Sequence, residues 1–159
     1  MSGQQIMRHG GLWASASLRA VLLTLGLAGA NSSHAGNGVE VHCLALNIYH
    51  EARGENYAGR LAVARVTLNR VRSDVFPDSI CEVVWQPRQF SWTHDQYPDK
   101  PENPNAWEDA LEVARNALET HHESTSLGNV TYFHADNVWP HWAEEQVLVA
   151  VIGSHLFYE

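Results

Sequence analysis

The sequence predicts an α+β domain in which helices come first and strands come last. Helix signals mark four segments between residues 41 and 122, strand-like runs appear only after residue 129, and Gly153-Ser154 separates two of those runs. Helices followed by strands, rather than alternating with them, are typical of this class. We therefore expect several packed helices and a small antiparallel sheet formed by the C-terminal third.

The first 35 residues have the pattern of a secretory signal peptide. They contain no acidic residue, and Arg8 and Arg19 precede an apolar run at residues 20–30, which ends five residues before Ala35. We expect cleavage after Ala35 and export to the periplasm or the extracellular cell wall. The apolar run is shorter than the roughly 20 residues that span a bilayer, and the alternative is an uncleaved anchor.

The remaining region, residues 36–159, is expected to form one domain. Hydrophobic residues make up 45% of the whole chain and charged residues 18%, which is a globular composition. Removing residues 1–35 takes 2 of the 10 cations and none of the 18 acids, so the formal charge falls from −8 to −10. This acidity argues against nucleic acid as a partner, because phosphate binding requires clustered cations.

The two cysteines, Cys43 and Cys81, are expected to form a disulfide. An exported protein meets an oxidising environment in which disulfides persist. The alternative is two buried free thiols.

The first two helices are predicted over Val41–Ala52 and Ala58–Val71. The first has one apolar face and stops before Gly54. The second is apolar on nearly every face, with Arg65 and Asn69 as exceptions, which indicates a helix packed on several sides.

A third, short helix is predicted over Ile80–Trp85. Ser79 followed by Glu82 is the pattern of a capping box at its start. The region between Trp85 and Pro104 contains four prolines and is predicted to be a long loop, a type of segment that often carries function.

The clearest amphipathic helix is predicted over Asn105–His122, with Asn105 and Glu108 as a second capping box. Beyond it, strands are predicted at Asn129–His134, Gln146–Ile152 and His155–Tyr158, the last two joined as a hairpin.

Glu51 is the strongest candidate for chemistry. On the first helix it lies beside the apolar face and in the last turn, so burial and the helix dipole should both raise its pKa. A carboxylic acid that stays protonated near neutral pH can protonate the leaving oxygen of a glycosidic bond. The alternative is an ion pair with Arg53 or with another of the five arginines clustered at positions 53, 60, 65, 70 and 72. Glu55 is a second carboxylate that could bind substrate, orient Glu51 or cap the next helix.

Six segments, in this order, resemble the SleB-type, spore-cortex-lytic cell-wall hydrolase family. They cover almost all of the region after the predicted cleavage point. The segments are CLALNIYHEARGE at 43–55, AVARVTLNRV at 62–71, FPDSICEVV at 76–84, QFSWT at 89–93, YFHA with WPHW between 132 and 142, and IGSHLFY at 152–158.

The resemblance implies that residues 36–159 are a catalytic domain with a lysozyme-like fold, which cleaves peptidoglycan between N-acetylmuramic acid (MurNAc) and N-acetylglucosamine (GlcNAc). It also implies a lytic-transglycosylase mechanism in which Glu51 acts first as acid and then as base, leaving a 1,6-anhydro end without consuming water. No cofactor is expected. The rival is a hydrolytic muramidase with Asp95 as second acid, and the non-enzymatic alternative is a secreted glycan-binding module.

Six side chains are assigned to substrate binding, because amides, hydroxyls and aromatic rings suit sugars. The alternative is that Phe90 and Trp92 anchor the loop in the core, and by alternation Phe90 is the one expected to face inward. Trp139 and Trp142 are expected to serve packing. The assigned residues are Glu55, Gln89, Ser91, Trp92, Tyr132 and His134, with His134 as a possible hydrogen-bond donor.

Zinc is the remaining alternative, since the chain is rich in histidine and zinc amidases also cut peptidoglycan. The sequence contains no His-Glu-x-x-His, the commonest zinc signature of hydrolases. We therefore expect no metal.

Overall fold

The computed structural model describes residues 31–121 and 127–159. Residues 1–30, most of the predicted signal peptide, lie outside this range, as does His122, the predicted end of the long amphipathic helix. The four helices are α1 (Asn31–Ala52), α2 (Tyr57–Val71), α3 (Ile80–Val84) and α4 (Pro104–Glu119). α1 contacts each of the other three. Among the described residues, no helix is long and apolar enough to cross a membrane.

The C-terminal third forms a three-stranded antiparallel sheet, as predicted. Its strands are β1 (Tyr132–Ala135), β2 (Leu148–Ile152) and β3 (His155–Tyr158), in the order β1-β3-β2. Gly153 has φ 60° in the β2–β3 turn, a backbone conformation that glycine adopts without strain. The α+β class is therefore confirmed.

Two apolar clusters fill the interior. The larger lies between α1 and α4 and includes Leu44, Ile48 and Val113, all buried. The smaller lies between α2 and the sheet, where Val63, Val66 and Phe157 are completely buried. Helix α2 is thus packed on two sides, which explains why its sequence is apolar on nearly every face.

The starts of α2 and α4 and the end of α3 differ from the prediction by one residue, α4 ends three residues before the predicted His122, and the start of α1 differs most. α1 begins ten residues before Val41, because no proline interrupts the preceding segment and the helical ladder continues upstream. α4 begins at Pro104, and its N-cap is Asn103, whose side-chain oxygen accepts from the Ala106 N–H at 3.1 Å. The predicted cap at Asn105 is wrong because Pro104 fits the first helical position, which places the cap at Asn103, two residues before the predicted one.

The predicted cap of α3 is confirmed. The Ser79 hydroxyl accepts from the Glu82 N–H at 3.3 Å and donates to the Glu82 carboxylate at 2.8 Å. The predicted disulfide is also present: Cys43 on α1 and Cys81 on α3 are bonded, with 5.2 Å between their Cα atoms. The bond ties α3, and the loop that follows it, to the helix that carries Glu51.

The proline-rich loop is fixed at its far end by α1. The Tyr49 hydroxyl accepts the backbone N–H groups of Glu102 and Asn103, both at 3.1 Å. His50 Nε2 donates to the Asp99 carbonyl at 3.0 Å. Consecutive side chains of one helix turn therefore hold the loop beside Glu51.

The N-cap assignment predicts different effects for two nearby asparagines. Asn103→Ala should lower the free energy of unfolding by about 1 kcal/mol, because it leaves the Ala106 N–H without its partner. Asn105→Ala is the matched control and should leave stability unchanged or slightly higher, since alanine favours a helix interior. Urea unfolding of both variants measures the difference. Equal losses would contradict the cap at Asn103.

Candidate active site

A cavity of about 720 Å³ opens where the end of α1, the loop after α3 and the first strand of the sheet meet. Its walls come from His50 and Glu51, from the loop residues 88–94, and from a segment that runs from β1 to Trp142. The cavity therefore joins the helical and sheet parts of the domain.

Glu51 is half-buried in the cavity wall. In the part of the chain that the structure describes, no donor lies within hydrogen-bond distance of its carboxyl group, so burial is not offset by hydrogen bonding. Burial raises the pKa of Glu51 from 4.5 to about 7, against the opposing attraction of the Arg70 guanidinium. Glu51 can thus exist as acid or carboxylate near neutral pH, as the sequence led us to expect.

Arg70 supplies a fixed positive charge to the same cavity. Its Nε donates to the Thr131 carbonyl at 2.7 Å, and its guanidinium lies over the rings of Phe76 and Phe90 at 5.4 and 5.3 Å. With the Gln89 amide oxygen turned toward it, that oxygen accepts from both terminal nitrogens at 3.0 and 3.2 Å. Burial lowers the pKa of Arg70 to about 10, so it stays charged at neutral pH.

Arg70 was not singled out from the sequence. A signal existed, because Arg70 lies in a helix that is apolar on nearly every face and must therefore be buried. A buried guanidinium needs partners, and these come from segments far away in sequence. Only the tertiary structure brings them together.

Five of the six predicted substrate-binding residues line the cavity together with Glu51: Gln89, Ser91, Trp92, Tyr132 and His134. Trp92 and His134 are both buried, so each presents only a small part of its ring to the cavity. The Trp92 indole N–H donates to the Asn47 side chain at 3.3 Å, and its ring stacks on His50 with centroids 4.4 Å apart. Phe90 is buried beside it, as predicted.

The expected donor role of His134 is wrong. His134 Nδ1 donates to the Ala135 carbonyl at 2.9 Å, and Nε2 accepts from the Tyr158 hydroxyl at 2.8 Å. Both ring nitrogens are engaged within the fold, so His134 offers ring surface to the cavity and no free donor.

The two C-terminal tryptophans do not behave alike. Trp142 lines the cavity, and its ring lies 5.4 Å from that of Tyr132 and 5.6 Å from that of His134. Trp139 is 64% exposed, although its ring also approaches His134. The expectation that both only pack is corrected: Trp142 is part of the cavity wall, and most of Trp139 faces solvent because it lies in the segment that follows β1.

Glu55 lies outside the cavity wall. Its carboxylate accepts from the Ser154 N–H at 3.3 and 3.4 Å and from the Ser154 hydroxyl, in the β2–β3 turn. The Ser154 hydroxyl is the main reason that the pKa of Glu55 lies below its ordinary value. His155 Nδ1 is 3.6 Å from the same carboxylate, and the His155 ring lines the cavity. Glu55 therefore reaches the site through His155, a residue the sequence did not suggest.

Asp95, the rival second acid, is exposed and turned to its own loop. Its carboxylate accepts from the Tyr97 N–H at 2.8 Å, and it is absent from the cavity wall. Within residues 31–121 and 127–159, Glu51 is the one acidic side chain in that wall. Over the same ranges, no three His, Cys, Asp or Glu side chains are grouped to hold a metal ion.

A small helical domain with a three-stranded sheet, and a carboxylic acid of raised pKa in an aromatic and amide-lined cavity, defines a class of protein. This arrangement is typical of glycoside-cleaving enzymes with a lysozyme-like fold.

The comparisons with known proteins agree with the lysozyme-like fold. The Cell Wall Hydrolase family matches residues 54–158, and the chain belongs to this family. The match begins three residues after Glu51 and includes Glu55, Arg70 and His155.

Similar curated proteins include spore cortex-lytic enzymes, and similar solved structures include SleB catalytic domains. The chain is 33% identical over 120 residues to the spore cortex-lytic enzymes of Oceanobacillus iheyensis and Bacillus subtilis, covering 74% and 76% of this chain but 41% and 37% of theirs. It thus spans about two fifths of these relatives. The catalytic domain of Bacillus cereus SleB is 29% identical, with a TM-score of 0.59 over 76% of this chain and 89% of that one. The catalytic domain of the germination-specific lytic transglycosylase SleB from Bacillus anthracis is 30% identical, with a TM-score of 0.61 over 76% and 93%. The resemblance noted in the sequence is confirmed.

The raised pKa of Glu51 predicts a pH-dependent stability difference. The folded state holds the Glu51 proton up to about pH 7 and the unfolded state only to about 4.5, so the stability contributed by the protonated form is lost as pH rises between these values. Glu51→Gln should therefore gain roughly 2–3 kcal/mol relative to wild type between pH 4 and pH 8. Urea unfolding across this range measures the gain.

Glu112→Gln, at an exposed position of α4, is the matched control for removing one carboxylate. A difference between wild type and Glu51→Gln that stays flat with pH would contradict the raised pKa.

Proposed function

We propose that this protein is a peptidoglycan lytic transglycosylase that cleaves the MurNAc–GlcNAc glycosidic bond with Glu51 as its single acid and base. The observation that supports this most directly is one carboxyl group with a pKa of about 7 in the wall of a sugar-sized cavity. Rate is highest when the pKa of an acid–base group lies near the working pH.

The reaction proceeds in two steps. The protonated Glu51 gives its proton to the glycosidic oxygen as the bond from MurNAc C1 to that oxygen breaks, which releases the GlcNAc hydroxyl. The Glu51 carboxylate then takes the proton from the MurNAc C6 hydroxyl as O6 attacks C1. A 1,6-anhydro ring forms, Glu51 is protonated again, and no water is consumed.

Arg70 assists the first step of this cycle. Its charge favours the carboxylate that Glu51 becomes after the first step, so the proton is released more readily than burial alone would allow. The guanidinium is held by Thr131, Gln89 and two aromatic rings, so it needs no rearrangement during the reaction.

The substrate is expected to lie along the cavity between Gln89 and Trp142. Gln89 and Ser91 offer an amide and a hydroxyl to sugar hydroxyls, and Tyr132 and Trp142 offer aromatic surface to the C–H faces of the rings. Glu55 lies outside this wall, where it accepts hydrogen bonds from Ser154 in the β2–β3 turn and faces His155.

Cleavage without a second protein acid fits the composition of the cavity wall. A hydrolytic muramidase would need a second carboxylate to activate water, and Asp95, its candidate, is exposed on the loop. Export to the periplasm or cell wall, with peptidoglycan as the partner, is part of this proposal and rests on the residues before position 36.

Glu51→Gln should abolish glycan cleavage, with a loss of at least about 10³-fold, while binding to isolated sacculi is retained. The amide has the shape of the acid but carries no transferable proton. Mass spectrometry of the soluble products measures turnover and distinguishes 1,6-anhydro from reducing ends.

Asp95→Asn is the matched control and should keep turnover within about twofold of wild type, with 1,6-anhydro products. Reducing ends in the products of the wild-type protein, together with loss of activity in Asp95→Asn, would establish the hydrolytic mechanism instead. Unchanged turnover in Glu51→Gln would overturn the assignment of the acid. Release of free peptides that stops with a chelator would indicate a zinc amidase.

A further inference from the structure

Among the described residues of the cavity wall, His155 is the one whose ring lies next to a carboxylate outside that wall, the carboxylate of Glu55. It is buried, with 7% of its surface exposed, and its ring packs edge-on against Phe133 at 5.5 Å. Nδ1 is fully buried, lies 3.6 Å from Glu55 Oε1 and has no hydrogen-bond partner at normal distance. Glu55 is therefore the charged group that faces Nδ1, while Phe133 of the cavity wall packs against the edge of the ring.

This orientation fixes which nitrogen carries the proton. A lone pair on Nδ1 would face the negative Glu55 carboxylate, so Nδ1 carries the hydrogen in the neutral ring and Nε2 carries the lone pair. Burial lowers the pKa of His155, opposed by the negative charges of Glu55 and Asp136 and reinforced by His134, so the ring is neutral at neutral pH.

The Glu55 carboxylate is itself locked in place. Ser154 donates to it through both its N–H and its hydroxyl. Gly153 lies so close that a Cβ there would collide with Glu55 Oε2, and a Cβ on Gly59 would be 2.8 Å from Glu55 Cβ. The connection after α1 is thereby fastened to the β2–β3 turn, and His155 follows that turn directly.

We propose that His155 is a substrate-binding residue whose Nε2 accepts a hydrogen bond from an amide N–H or hydroxyl of the glycan, and that Glu55 is the positioning residue that fixes its ring. The inference rests on the proposed function for the identity of the ligand. The neighbouring His134 cannot take this role, because both of its ring nitrogens are used within the fold.

Two substitutions of His155 separate an acceptor from a packing ring. The glutamine oxygen reaches the position of Nε2, whereas asparagine reaches only that of Nδ1. We expect His155→Asn to raise KM for uncrosslinked glycan oligosaccharides about tenfold with kcat little changed, since the lost contact is made in the ground state as well. His155→Gln should stay within about threefold of wild type. His141→Asn, at an exposed position outside the cavity wall, is the control and should change neither constant.

Glu55→Gln tests the positioning role through a double-substitution cycle. Alone it should raise KM about threefold. An amide can turn its NH₂ toward Nδ1, so the hydrogen of the neutral ring is no longer confined to Nδ1. In the His155→Gln background it should have no further effect on KM, since no imidazole remains to be oriented. Equal effects in both backgrounds would overturn the positioning role of Glu55.

A measurement without any change at His155 keeps the inference testable if the variants fold poorly. In ¹⁵N-labelled Glu51→Gln protein, His155 should show a protonated Nδ1 and an unprotonated Nε2. Addition of a MurNAc–GlcNAc tetrasaccharide should shift the Nε2 resonance. An Nε2 resonance that does not move on saturation, or a His155→Gln variant as impaired as a folded His155→Asn, would overturn the proposal.

Different measurements test the proposed function and the role of His155. The proposed function fails if the wild-type protein forms no glycan products or if Glu51→Gln keeps its turnover, whereas the role of His155 is tested by binding and by KM.

Discussion

The electrostatic balance at Glu51 is the constraint on which the site depends. Burial at the end of α1 disfavours the ionised carboxylate, and the charge of Arg70 favours it, which leaves the pKa of Glu51 near 7. Both effects are needed for a pKa near 7. Without burial Glu51 would be ionised at neutral pH, and without Arg70 it would release its proton less readily. The surrounding structure keeps the two groups in a shared cavity wall and limits the access of water.

The fold maintains this balance by fastening three segments to α1. The Cys43–Cys81 disulfide attaches α3, Tyr49 and His50 attach the proline-rich loop, and the larger apolar cluster attaches α4. The last turn of α1 therefore carries both the acid and the anchors of the loop that faces it. Precise placement of a catalytic group requires such support, because small displacements weaken both proton transfer and substrate contacts.

The sheet completes the site from the opposite side. Its packing against α2 buries Phe157 and brings Tyr132, His134 and Trp142 to the cavity. Glu55 fastens the β2–β3 turn to the connection between α1 and α2, which sets the position of His155. The two glutamates of the segment Glu51–Glu55 thus differ in environment and in acidity, because burial raises the pKa of the first to about 7 and hydrogen bonds from Ser154 lower the pKa of the second.

The sequence by itself determined the α+β class and, apart from the start of α1, the helices and strands within a few residues, because these follow from local periodicity and capping patterns. It also indicated the disulfide, from the expected export, and the raised pKa of Glu51, from a carboxylate beside an apolar helix face. It missed the cap at Asn103, where two asparagines compete, and the surroundings of Arg70 and His155. Those surroundings include Thr131, Gln89 and Glu55, which lie far away along the chain. Only the tertiary structure decided them, since burial and electrostatic environment are properties of the packed chain and not of any single segment.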